Sequence, residues 1–343
     1  MAERRTSSVG TLLSRLTGRR VTAPAAADSP GAVELQAAGV RVVMIPAWGG
    51  RITVLELGGR QWLAPAEPPS ADPERRALDV ALAGGYQECF PTVLPCRVLS
   101  KHTGVAFEQP ALGELHRLVP SAKIATLDGA VEATLEWTGD RLPYRFNRVV
   151  RASPGEIAMR YAVTNTGSAP MPFLWAANVA MPLGETTRLA LPENARSRVI
   201  SQEGIDLLGV GAEHRWPRFR TAKKLVDMSA PDSIGGRFAC HLSFDVSSGL
   251  ASVSEGGQRL EVRFDVGEIA RVGLNVRRKL GGSNARLVTL QPAIGIPAAL
   301  ASAAGVDGSA AWLEPGQTRR WGLSWRAVGS DPSPTPGRKA DGQ

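Results

Sequence analysis

Apolar and polar residues alternate with a period of two through much of the chain. Val131, Ala133, Leu135 and Trp137 interleave with Glu132, Thr134, Glu136 and Thr138, and Ile157, Met159, Tyr161 and Val163 with smaller or polar neighbours. Leu260, Val262, Phe264 and Val266 alternate with Glu261, Arg263 and Asp265, and Trp321, Leu323 and Trp325 with Arg320, Gly322, Ser324 and Arg326. A period of two sends alternate side chains to opposite faces of a strand. One apolar and one wetter face per strand is the pattern of antiparallel sheets. Turn formers separate the runs: Gly58-Gly59, Gly139-Asp140, Ser153-Pro154-Gly155, Gly256-Gly257 and Glu314-Pro315-Gly316. Helical periodicity is confined to two short stretches, 73–82 and 296–304. Many strands with few helices predict an all-β fold, a large antiparallel β-sandwich.

The alternation marks the limits of this fold. Residues 1–32 hold Arg, Ser, Thr, Ala and Pro without sustained periodicity and are expected to form a disordered basic arm. Residues 33–328 are expected to form the sandwich domain, and 329–343, rich in Pro, Gly, Ser and Asp, a disordered tail. Residues 193–232 also lack clear periodicity and predict a long loop crossing the sandwich, the kind of segment that often serves function.

Composition changes this picture little. A hydrophobic content of 43% in 343 residues allows a sizeable core. No apolar run approaches the roughly 18 residues of a membrane span. The net charge is +8, but Arg4, Arg5, Arg15, Arg19 and Arg20 against Glu3 place +4 of it in the arm. The folded part shows no basic stripe with interleaved aromatics, so nucleic acid is not the expected partner. The arm makes a poor signal peptide, and cytoplasmic placement is expected. Cys89, Cys96 and Cys240 match neither a disulfide framework nor a zinc spacing and read as free thiols. His102, His214 and His241 form no recognisable ligand set, and neither metal nor cofactor is expected.

Several segments, in order, resemble the galactose mutarotase-like (aldose 1-epimerase) superfamily. Gly49-Gly50-Arg51-Ile52 followed by Gly59-Arg60-Gln61-Trp62-Leu63 is similar to its opening hairpin. Gly84-Gly85-Tyr86-Gln87-Glu88-Cys89-Phe90-Pro91 resembles the Gly-rich loop bordering its sugar pocket, and Gly113-Glu114-Leu115 a His-Gly-Glu-Leu element. Trp175-Ala176-Ala177-Asn178 resembles the segment that delivers a catalytic His, and Gln291-Pro292 the Glu-Pro segment that carries the base. Leu313-Glu314-Pro315-Gly316 to Trp321 resembles the closing strands. The resemblance implies a supersandwich fold, a sugar or sugar derivative as ligand, and isomerase chemistry.

That chemistry requires one group to take the anomeric hydroxyl proton and another to protonate the ring oxygen. The resemblance sets Asn178 where the acid His stands and Gln291 where the base Glu stands. Amides donate and accept hydrogen bonds but do not titrate near pH 7. The first expectation is therefore a carbohydrate-binding protein that lacks the usual proton-transfer pair. The alternatives are an active epimerase using Glu88 or Glu114 with His116, and a non-catalytic sugar sensor. Glu114 and His116 are expected on one face of a strand. Arg51 suits an acidic sugar or sugar phosphate. Tyr86, Gln87, Asn178 and Gln291 are expected to line the pocket, with the Trp175 indole stacking on a pyranose. Trp48 is a second stacking candidate, and His214 could reach a ligand from the long loop. Trp137, Trp321 and Trp325 are expected in the core.

Overall fold

The computed structural model describes residues 31–69, 84–99, 106–127, 130–279 and 286–329. Among them two antiparallel sheets dominate, one of thirteen strands and one of eight. The central strands of the larger sheet run, in spatial order, Arg51–Leu57, Gly85–Cys89, Trp175–Pro182, Arg286–Ile294, Arg271–Arg278, Phe238–Asp245 and Arg196–Glu203. The centre of the smaller sheet is Gln258–Phe264, Thr318–Gly329, Glu156–Asn165, Tyr144–Ser153 and Ala130–Thr138. The four runs of strongest alternation all lie in this smaller sheet, which keeps one face on the core and one toward solvent. The Gly58-Gly59 turn joins Arg51–Leu57 to Arg60–Gln61 as the expected hairpin.

The core fills the space between the sheets. Trp137, Phe146, Tyr161, Trp321 and Trp325 of the smaller sheet meet Ile52, Tyr86, Trp175, Val179, Leu274 and Leu290 of the larger. Tyr161 stacks on Trp321 with centroids 5.6 Å apart and packs on Trp175 at 4.8 Å. Such aromatic contacts add about 0.5–1.5 kcal/mol each beyond the area they bury.

The larger sheet is also covered on its far face. Cys89, Ala176 and Ala293 form a small apolar cluster there with Val93 and Leu112. The helix Leu300–Ala304 packs with Val98 and Leu174 beside it. Strands buried on both faces lose their alternation in the sequence, and all five residues of Gly85–Cys89 are buried. That stretch is a strand and not the loop its glycines suggest.

Two further expectations change. Residues 193–232 are not a loop: Arg196–Glu203 extends the larger sheet, followed by the short strands Glu213–Arg215, Arg218–Arg220 and Leu225–Asp227. Strands of three residues are too short for a period of two to register. The helix expected over 296–304 is reduced to Leu300–Ala304, because Pro297 favours extended backbone before it. Residues 1–30, 73–82 and 330–343 lie outside the described residues. The three cysteines are free.

Candidate functional site

Alternation decides which side chains can meet. In Gly85–Cys89, Tyr86 and Glu88 face the core, so Gln87 and Cys89 face the far side of the sheet. The register sets Asn178 directly opposite Gln87, on the same face. Gln291 continues the line: its Nε2 donates to Asn178 Oδ1 at 2.8 Å. Beyond Gln291 the register runs through Gly273 to Ser243. At the other end Arg51 Nη2 donates to Gln87 Oε1 at 2.8 Å. Arg51, Gln87, Asn178 and Gln291 thus form one polar row across adjacent strands, which lie about 4.8 Å apart. The whole row is buried, Asn178 at 8% exposure being the most open.

Buried polar groups are normally hydrogen-bonded, yet this row is under-satisfied. Among the described residues, Arg51 Nε, Gln291 Oε1 and Ser243 Oγ find no hydrogen-bond partner. Burial lowers the Arg51 pKa to about 10, which leaves the guanidinium charged at neutral pH. His241, on the same face as Ser243, reaches Gln291. Burial lowers its pKa to about 4, against the raising effect of Gln291, so the imidazole is neutral. Among the described residues its Nε2 makes no hydrogen bond of proper geometry. Gly273 matters to this arrangement: a Cβ there would come 2.5 Å from Gln291 Oε1 and 3.0 Å from Pro297 Cγ.

The remaining candidates lie elsewhere. Glu88, expected in the pocket, is held between the sheets. It accepts from Trp175 Nε1 at 2.8 Å, the Tyr161 hydroxyl at 3.1 Å and Arg148 Nη1 at 3.3 Å. The Tyr86 and Tyr161 hydroxyls are 2.6 Å apart in the same network, and Arg148 also donates to the Gly50 carbonyl. Burial raises the Glu88 pKa, with Arg148 pulling the other way. Tyr86 and Trp175 are fully buried core residues, so the Trp175 face is not offered to a pyranose. These three face away from the row because Tyr86 and Glu88 flank Gln87, and Trp175 stands three residues from Asn178.

Glu114 and His116 are not on a strand. Glu114 precedes a 3-10 turn, Leu115–Arg117, that begins after Gly113 at φ +73°. A Cβ at Gly113 would overlap the Phe90 carbonyl, so only glycine allows this approach. Glu114 Oε2 accepts from the Arg141 backbone N–H at 3.1 Å. Burial raises its pKa. Glu88 and Glu114 therefore serve separate partners. His116 is buried, and its backbone lies against Gly49. His214 stacks on Phe219 and bonds the Leu207 carbonyl at 2.9 Å and the Arg220 backbone N–H. Those contacts occupy both ring nitrogens, so it does not reach toward a ligand. Trp48 is half-buried. His102 lies outside the described residues.

Sequence reasoning missed His241 and Ser243. The signal was present: Phe238, Cys240, Leu242 and Phe244 alternate with Ala239, His241, Ser243 and Asp245. Among the described residues no group of three or more His, Cys, Asp or Glu side chains is placed to hold a metal ion. No helix among them is long and apolar enough to cross a membrane.

No protein-family model matches the chain, and no curated protein matches its sequence. Solved structures do match. The chain is similar to the Slr1438 protein of Synechocystis sp. PCC 6803, with TM-score 0.64 and 17% identity over 92% of this chain and 100% of that one. It is similar to a galactose mutarotase related enzyme from Lactobacillus acidophilus, with TM-score 0.61 and 15% identity over 88% and 98%. A galactose mutarotase-like protein from Clostridium acetobutylicum gives TM-score 0.61 and 12% identity over 87% and 95%. The fold is the galactose mutarotase-like sandwich.

Proposed function

We propose that this protein binds a sugar or sugar derivative on the far face of its larger sheet, through Arg51, Gln87, Asn178 and Gln291, and that it does so without mutarotase chemistry. The observation that carries this reading is the Gln291–Asn178 hydrogen bond at the centre of the row. Two amides in contact hold a hydroxyl or ring oxygen in place but move no proton near neutral pH. The unpartnered buried atoms along the row support a polar ligand, since each costs about 1–3 kcal/mol until it finds a partner. The fold shared with mutarotase-like proteins supports a sugar as that ligand.

The epimerase alternative loses Glu88, whose carboxylate is enclosed between the sheets with three donors of its own. Glu114 with His116 is the version that remains. A role as a sugar sensor is compatible with the amide row. Cytoplasmic placement belongs to the same reading, in keeping with three free thiols.

Titration calorimetry of the full chain against a panel of aldoses and their acidic derivatives tests the reading. Binding is expected for at least one sugar, with a loss of about tenfold or more in Asn178→Ala and Gln291→Ala. Sugar binding that is unchanged in both variants would place the site elsewhere.

A further inference from the structure

The smaller sheet ends in a strand that is exposed on both faces. Ser121–Leu127 pairs with Ala130–Thr138, and among the described residues no strand pairs with its other side. All seven of its residues are exposed. Ile124 is 55% and Leu127 48% exposed, and Val119, just before the strand, 70%. Opposite Ile124 and Ala122, on the core-facing side of the next strand, Ala133 and Leu135 are fully buried.

An open edge presents a row of N–H and C=O groups to any strand that fits, and folds blunt it with short strands, bulges, proline or charge. The other edges of the two large sheets are blunted. Arg188–Ala190 and Leu225–Asp227 are three residues long, and Val33–Ala37 turns Glu34 and Gln36 outward. Ser121–Leu127 is longer than these, holds its neighbour in unbroken register, and contains no proline and one charge, Lys123.

The sequence of the strand is suited to its own copy. In an antiparallel pair about a two-fold axis, one residue faces itself. Full overlap puts that residue at the midpoint, Ile124. Ser121 then faces Leu127 of the other copy, Ala122 faces Thr126, and Lys123 faces Ala125. Two aliphatic side chains meet at the centre, and such cross-strand pairs contribute about 0.2–1 kcal/mol each. A register centred on Lys123 would set like charges together. In the Ile124 register, Lys123 instead stands in line with Glu132 of the other copy across the small Ala125, which is opposite Glu132. Glu132 holds Arg160 at 2.8 Å and keeps 15% exposure. Glu136 is exposed on the same face.

We propose that Ser121–Leu127 is a homodimer interface, in which a second copy of this chain pairs antiparallel about Ile124 and joins the two eight-stranded sheets into one. The contact is isologous and stops at two copies. It uses no residue of the polar row and does not depend on the sugar reading.

Sedimentation velocity of the full chain over a concentration series tests this. A species of twice the chain mass should grow in between about 1 and 100 μM, as suits a small interface. Ile124→Lys sets two like charges face to face. It should weaken the dimer about tenfold or more and leave the melting temperature of the monomer unchanged. Ile124→Cys should form a disulfide-linked dimer under mild oxidation. Wild type, with Cys89 and Cys240 buried and Cys96 half-buried, should not. If Ile124→Lys fails to fold, Ile124→Cys carries the test. A chain that stays monomeric to about 100 μM overturns the proposal. So does a dimer that Ile124→Lys leaves unchanged, a dimer in which Ile124→Cys forms no link, or a ladder of larger oligomers in place of a single dimer.

Discussion

The Glu88–Arg148 pair gives the sharpest test of how the two faces of the larger sheet divide their work. Arg148→Met keeps most of the aliphatic stem and removes the guanidinium. That breaks the 3.3 Å contact to Glu88, the bond to the Gly50 carbonyl and the placement 5.3 Å over the Trp137 ring. Both side chains are 2% exposed or less, so water does not replace the lost partner. Breaking a buried pair this way costs about 3–5 kcal/mol. For a domain of this size that is a fall of roughly 5–8 °C in melting temperature. The loss should depend on pH with a definite sign. Burial raises the Glu88 pKa, and the variant loses the Arg148 charge that opposes this. A carboxyl whose folded pKa is raised adds stability below its unfolded value, and that stability is lost as pH rises through the folded pKa. The deficit of Arg148→Met against wild type should therefore be larger at pH 8 than at pH 5. Denaturant unfolding at both pH values, with calorimetric sugar titration of the folded variant, measures this. A deficit below about 1 kcal/mol, the size of an exposed pair, or one independent of pH, would refute the reasoning. The folded variant should keep its sugar affinity, because the pair faces the core and the row does not.

Two further outcomes follow from the row itself. Gly273→Ala should leave the fold intact but push the Gln291 amide off Asn178, lowering sugar affinity about tenfold in calorimetry, since the added Cβ would stand 2.5 Å from Gln291 Oε1. Unchanged affinity would mean that Gln291 is not held by this packing. His241 carries a pKa depressed to about 4. Its contribution to stability is present above the unfolded value near 6.5 and is lost as pH falls toward 4, a change of order 3 kcal/mol. His241→Asn should flatten that part of the stability–pH curve, and a curve of unchanged slope would show that the imidazole is solvated.

How much of this was legible beforehand differs between the two sheets. The smaller sheet wets one face, so its strands announce themselves by alternation, and Trp137, Trp321 and Trp325 could be assigned to the core from sequence. The larger sheet is covered on both sides, and the period fails where the site lies. In Gly85–Cys89 every position is buried, so Tyr86, Gln87 and Glu88 were grouped as one pocket although adjacent strand residues cannot share a face. Asn178 and Gln291 came from resemblance alone, and their contact across Trp175–Pro182 and Arg286–Ile294 is long-range information that no local pattern holds. Glu114 and His116 were misassigned because Gly113 turns the chain into a single 3-10 turn, where alternation does not apply. His241 had a local signal, the polar half of an alternating strand, but nothing in its neighbours tied it to Gln291.

The central claim is that the sandwich binds a sugar with amides where proton transfer would need titratable groups. Anomeric exchange of a sugar shown by calorimetry to bind, followed by magnetisation-transfer NMR with and without the protein near pH 7, tests it most directly. The account expects binding with an exchange rate equal to that in buffer. Exchange accelerated well above buffer, and abolished by Asn178→Ala or Gln291→Ala, would contradict it.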